Sequence, residues 1–251
     1  MTQPPPSEPS VRVFADPESV ARAAARRVAE LAREAIDERG AFSLALSGGS
    51  TPRRIYELLA GDEFRDSVDW RGVHVFFGDE RTVPADHAES NYRMANEALL
   101  SRVPLPAENV HRVEGLGDAA ANASNYESVM RGFFGGDEWP RFDLVMLGMG
   151  DDGHTASLFP GTVALSERRA WVAANWVEKL GAWRVTLTAP AINAARHVLF
   201  LVTGAAKAAR LREVLKGERD PSRLPSQLIR PHEGALEWFV DRPAASRLEA
   251  A

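Results

Sequence analysis

The sequence predicts an α/β fold: a mostly parallel sheet with helices on both faces, in a single domain. Two observations predict it. Short apolar runs alternate from end to end with segments whose apolar residues recur at helical spacing. Polar, glycine-bearing clusters follow several of those runs directly, where the loops at the carboxyl edge of a parallel sheet would lie. No internal repeat, low-complexity linker or shift in composition marks a second domain. Residues 1–10 are expected to be a disordered tail and residues 11–251 one domain.

The elements follow in order. Asp16 and Pro17 make an N-cap and first-turn pair, and Val20, Ala24, Val28, Leu31 and Ala35 keep helical spacing until Gly40. Phe42 to Leu46 reads as a strand and Pro52 to Leu59 as a helix. Val73 to Phe77 is the next strand, followed after a loop by a helix from about Asn91 to Leu100. A helix over Ala119 to Phe134 leads into a strand at Phe142 to Leu147. Strands follow near Trp171 to Ala174, Arg184 to Leu187 and His197 to Val202, then a helix from Ala205 to Leu215. Trp238 to Val240 reads as a last strand.

Composition narrows the function classes. Apolar residues make up 45% and charged residues 26% of 251, ordinary values for a water-soluble chain. A formal net charge of -5 argues against a nucleic-acid surface. The absence of cysteine excludes thiol nucleophiles, disulfides and Cys-zinc sites. The longest apolar runs, such as Val198 to Val202, are too short to span a bilayer, so no membrane partner is expected. The first ten residues carry four prolines and no apolar core of a signal peptide, which leaves the cytoplasm as the expected compartment.

The segment Gly148 to Gly161 is the most informative. It places His154 among three glycines and beside Asp151 and Asp152, just past a buried strand. Gly148-x-Gly150-x-x-Gly153 also fits the dinucleotide fingerprint, a reading that three features reject. Pro160 interrupts the helix the fingerprint requires, the two aspartates would repel a pyrophosphate, and the motif lies past the middle of the chain.

Three further clusters follow predicted strands. Ser47-Gly48-Gly49-Ser50-Thr51-Pro52 opens a helix, where free N–H groups attract an anion; a tight turn with a serine cap is the equally weighted alternative. It is no P-loop, since the lysine and the spacing are missing. Gly78-Asp79-Glu80-Arg81 is either a surface ion pair or a set of groups for sugar hydroxyls and a phosphate. Gly204-Ala205-Ala206-Lys207 puts a cation in the first turn of a helix, against the dipole. In a parallel sheet all four clusters converge on one crevice holding an imidazole, carboxylates, cations and a phosphate cradle. That composition fits a small phosphorylated sugar.

These motifs, with Ser90-Asn91, Arg184-Val-Thr-Leu-Thr188 and Leu224-Pro-Ser-Gln-Leu-Ile229, resemble the 6-phosphogluconolactonase family over nearly everything after the tail. The resemblance implies a Rossmann-like fold and hydrolysis of 6-phosphoglucono-δ-lactone to 6-phosphogluconate in the pentose phosphate pathway. It implies no metal and no organic cofactor. Related glucosamine-6-phosphate deaminases carry Asp-Glu-Tyr where this chain has Asp79-Glu80-Arg81, and an acid before the proline where it has Phe159. A third reading is a non-catalytic sugar-phosphate sensor, which should carry an added partner domain and could dispense with His154.

On the lactonase reading His154 is the candidate general base, Asp152 shapes the loop or orients the imidazole, and Asp79 holds the sugar or the histidine. No G-x-S-x-G elbow accompanies His154, which argues against an acyl-enzyme. Gly48, Gly49, Ser50, Thr51, Arg81, Arg184 and Lys207 are the candidate phosphate ligands, with Asn91 and Gly150 as further substrate contacts. Backbone N–H groups of the Gly148–Gly153 loop are candidate oxyanion donors. His74, His87, His111, His197 and His232 are read as structural or surface residues, and the six tryptophans as packing. The expected partner is a small phosphorylated sugar lactone, with the chain a monomer or small homo-oligomer.

Overall fold

The computed structural model describes residues 9–136 and 138–248. The chain runs β1 (Ser10–Phe14), α1 (Pro17–Arg39), β2 (Phe42–Leu46), α2 (Ser50–Leu59), β3 (Val73–Phe77), β4 (Asp79–Arg81), α3 (Asn91–Ala98) and α4 (Ala119–Phe134). It continues through β5 (Leu144–Gly148), β6 (Val172–Val177), β7 (Ala182–Leu187), α5 (Ala189–Asn193), β8 (His197–Val202), α6 (Ala208–Lys216), β9 (Ala235–Asp241) and α7 (Arg242–Ala245). Six strands form one sheet in the order β1-β9-β8-β5-β2-β3, and every pairing in it is parallel. The Rossmann-like α/β expectation therefore holds.

The central strands are buried because they are apolar on both faces. Phe42 to Leu46 is buried throughout, and β5 and β8 are each buried apart from one terminal residue. Phe200 and Trp238 stack across β8 and β9 with ring centroids 3.8 Å apart. Helix α1 packs on β1, β2 and β9 through its small-residue stripe. It starts where Asp16 accepts a 2.7 Å bond from Ser19 N, and it ends at Gly40, whose φ of 76° gives the left-handed turn.

Several boundaries differ from expectation. Helix α2 begins at Ser50 rather than Pro52, because Gly49 takes the cap position at φ 108°. Helix α3 ends at Ala98 and passes into a 3-10 turn at Leu100–Arg102. The expected Ala205 helix divides into a 3-10 turn, Ala205–Lys207, and α6. Residues 1–8 of the expected tail lie outside the described residues, as do 137 and 249–251 of the expected domain. Ser10 already belongs to β1, a strand the tail assignment overlooked.

A second sheet also departs from the expected plan. Strands β4, β7 and β6 form an antiparallel sheet covered by α4. The chain crosses between the sheets at Gly78, whose N–H donates to Leu46 O while its carbonyl accepts from Leu187 N, both at 2.8 Å. Of the tryptophans, Trp70, Trp171 and Trp238 are buried as expected. Trp176 and Trp183, on β6 and β7, are exposed and meet each other edge to face.

Candidate active site

The strand order reverses between β2 and β5: from β2 the chain proceeds to β3 on one side, and from β5 to β8 on the other. The loops after β2 and β5 therefore diverge and leave a crevice at the carboxyl edge, the usual ligand position in open α/β sheets. The loop after β8 borders the same place, since Thr51 Oγ1 and Thr203 Oγ1 are 2.9 Å apart. The buried Asp241 at the end of β9 fixes that loop, accepting from Gly204 N at 3.0 Å and Ala244 N at 2.8 Å.

His154 is held on three sides. Its Nδ1 lies 2.6 Å from Asp152 Oδ1, and its own backbone N–H donates to the same oxygen at 3.2 Å. Phe159 stacks on the imidazole with centroids 4.0 Å apart. Gly150 closes the third side: a Cβ there would overlap Nδ1 and Cε1. A carboxylate only accepts hydrogen bonds, so Asp152 requires the proton on Nδ1 and leaves Nε2 as the basic nitrogen. Burial works to raise the Asp152 pKa, yet hydrogen bonds from Lys179 and His154 outweigh it and hold the group below the usual carboxylate range. Lys179 Nζ pairs with Asp152 Oδ2.

Two amides of this loop are not available as the oxyanion donors the sequence suggested. Gly150 N donates to His154 O at 2.9 Å and Gly153 N to Gly150 O at 3.0 Å. Both donors are spent on folding the loop, so neither is free for an oxyanion. No helix follows the third glycine, in keeping with rejection of the dinucleotide reading. Ala156 adopts φ 47°, a conformation uncommon for a residue with a side chain, inside the turn that leads to Ser157.

Asp79 is buried and bonded to partners other than the histidine. Its Oδ2 accepts from Ser157 Oγ at 2.6 Å and its Oδ1 from Asn91 Nδ2 at 3.3 Å. Asn91 also donates to Asp79 O at 2.9 Å and packs against Gly48, where a Cβ would overlap its side-chain oxygen. The neighbouring Glu80 accepts from the N–H groups of Arg81, Asn91 and Tyr92, each at 2.8 Å, and from Ser90 Oγ at 3.2 Å. Burial raises its pKa against those bonds. One carboxylate thereby ties β4 to the start of α3.

The candidate cations fall into two groups, Arg81 with Arg184 and Lys207 with Asp151. Arg81 and Arg184 stand directly opposite each other in the β4–β7 ladder, where like charges oppose pairing. Their side chains donate to backbone oxygens, Arg81 to Glu89 O and Arg184 to Trp183 O at 3.1 Å. Burial, with Arg81 adding repulsion, lowers the Arg184 pKa from its ordinary value. Lys207 pairs with the exposed Asp151, which lowers the pKa of that carboxyl. The Gly48–Thr51 segment begins α2 with no side-chain cap on its N–H groups.

The sequence reading passed over Ser157, Lys179, Phe159 as a support for His154, and Asp241. Ser157 sits three residues after His154 in the same motif and so left a signal. Lys179 and Asp241 left none, because their partners come from distant loops. Among the described residues no three His, Cys, Asp or Glu side chains converge as a metal site would need. No helix among them is long and apolar enough to cross a membrane.

The chain is similar to known proteins along most of its length. The sequence model of the family described as Glucosamine-6-phosphate isomerases/6-phosphogluconolactonase matches residues 15–238. A 6-phosphogluconolactonase of Synechocystis sp. is 44% identical over 218 residues, covering 86% of this chain and 88% of that protein. One of Rattus norvegicus is 39% identical over 246 residues, covering 97% and 95%. A solved structure of 6-phosphogluconolactonase from Trypanosoma cruzi superposes with a TM-score of 0.86 at 34% identity, covering 97% of this chain and 98% of that one. Fold, motifs and these likenesses agree: the chain belongs to the glucosamine-6-phosphate isomerase/6-phosphogluconolactonase family.

Proposed function

We propose that this protein hydrolyses 6-phosphoglucono-δ-lactone to 6-phosphogluconate, with His154 as the base that activates water. The observation that carries this reading is the His154–Asp152 pair: an imidazole fixed in one tautomer, with Nε2 left as the basic nitrogen. A water attacks the lactone carbonyl carbon while its proton passes to Nε2. The bond from that carbon to the ring oxygen then breaks, and the imidazolium returns the proton to the leaving oxygen. The carboxylic acid released ionises in solvent. A positioned base contributes roughly 10²–10⁴-fold.

The phosphate belongs between Arg81 and Arg184, with the Gly48–Thr51 segment and Lys207 around it. An anion there would neutralise a cross-strand repulsion that Asp79, Glu80 and Glu89 offset only in part. Asp79 and Asn91, braced by Ser157, are placed to accept from and donate to sugar hydroxyls. The deaminase alternative needs an acid before Pro160, and Phe159 instead supports the imidazole from that position.

The test is hydrolysis of lactone generated in situ, followed as 6-phosphogluconate through a coupling dehydrogenase, with the spontaneous reaction subtracted. Acceleration is expected, and His154→Ala should lose most of it while remaining folded. A folded protein that gives no acceleration overturns the reading; ammonia release from glucosamine-6-phosphate would then identify the deaminase.

A further inference from the structure

Lys179 touches both groups that hold the imidazole. It lies at the tip of the β6–β7 hairpin, in the 3-10 turn Glu178–Leu180 that Gly181 closes at φ 56°. Its Nζ pairs with the Asp152 oxygen that His154 does not use. The same Nζ stands 5.3 Å from the ring centroid of Phe159, the ring stacked on His154.

The other charged groups near this corner are engaged elsewhere. Lys207 pairs with Asp151, and Arg210 bonds Asp151 O at 2.9 Å and Glu213 at 2.7 Å. Glu178, beside Lys179 on the turn, accepts from Trp176 Nε1 at 2.7 Å. Lys179 is thus the ammonium that shares Asp152 with the imidazole.

We infer that Lys179 is a positioning residue for His154: it fixes the carboxylate that orients the imidazole and shares the negative charge that this carboxylate turns toward the ring. The inference rests on His154 acting as the base. With Lys179 removed, the full charge of Asp152 faces the imidazole and favours its protonated form, so the base becomes available only at higher pH. Lys179 is more than half exposed, so water weakens the effect, and a loss of rate of about threefold is expected on the acid side.

The experiment compares wild type, Lys179→Met and Lys179→Arg in kcat–pH profiles, in KM, and in an NMR titration of the His154 ring signals. Loss of those signals in His154→Ala assigns them. In Lys179→Met both the acid limb and the NMR midpoint should move to higher pH, with KM changed by less than about twofold. Lys179→Arg should restore both. An unmoved midpoint in Lys179→Met, or a raised KM with an unmoved acid limb, would overturn the proposal; the latter marks a substrate contact. If His154→Ala keeps its turnover, the base assignment fails by itself, and the NMR midpoint still decides whether Lys179 acts on the imidazole.

Discussion

Gly150→Ala should disable the base without unfolding the protein. Gly150 is not among the residues with positive φ, so alanine meets no backbone penalty there. Its N–H bond to His154 O involves no side-chain space and can persist. The new methyl carbon, however, would overlap Nδ1 and Cε1 of His154 and stand 2.9 Å from Cγ. Carbon atoms in contact settle at about 3.5–4.0 Å, so the ring must move by roughly 1 Å or more. That displacement breaks the 2.6 Å bond to Asp152, a charge-assisted bond of the class worth about 1.5–3 kcal/mol. A misplacement of about 1 Å at a reacting group costs on the order of 10²-fold, and the lost bond corresponds to about one to two decades. A kcat near one hundredth of wild type is therefore expected, with KM little changed and the thermal midpoint lower by several degrees but the protein still folded at assay temperature. The assay is background-corrected lactone hydrolysis on Gly150→Ala, His154→Ala and the double variant. The double variant should be no slower than His154→Ala, because both changes remove one interaction. A Gly150→Ala enzyme within about threefold of wild-type kcat would refute the reasoning.

Other consequences can be checked alongside. Arg81→Ala and Lys207→Ala should each raise KM by roughly tenfold or more with kcat little changed, since each removes an anchor on a non-reacting phosphate; unchanged kinetics in both would move the phosphate elsewhere. In phosphate-free buffer Arg81→Ala should also unfold no earlier than wild type, because it relieves the repulsion with Arg184; a clear drop in Tm would show that the pair is compensated. Asp152 binds its proton more weakly in the fold than at its ordinary value of 3.8, so its stabilisation is present above that pH and is lost as pH falls below it. The Tm gap between wild type and Asp152→Asn should therefore be widest near neutrality and narrow below about pH 4. A gap independent of pH would count against the carboxylate as its source.

The parallel sheet was legible because its strands are short, apolar and separated by capped helices. Asp16 and Gly40 fixed the ends of α1 almost to the residue. The second sheet was not legible. Asp79–Arg81 has no apolar alternation and is a strand because β7 lies opposite, so a purely local reading finds a charged loop. Strand β1 does alternate, but it pairs with β9 from the far end of the chain, and the proline-rich residues before it suggested a tail. At the site, residue types and loop positions were readable, because glycine, aspartate and histidine together at a sheet edge carry chemical meaning. Pairings were not. Asp79 takes Ser157 and Asn91 rather than His154, and the amides of Gly150 and Gly153 bond to carbonyls of the same loop. These outcomes depend on a left-handed alanine and on a hairpin arriving from elsewhere in the chain.

The passage of the chain through Gly78 has a mechanical consequence. Strand β3 belongs to the parallel sheet, yet the next residues are laced to β7, so Arg81 is anchored to the hairpin side of the crevice. The hairpin also carries Arg184 and Lys179, while the anion-attracting start of α2 belongs to the main sheet. Gly78 is thus a stitch between two sheets that each carry candidate phosphate ligands. A phosphate held from both sheets would brace one against the other and so stabilise the folded chain.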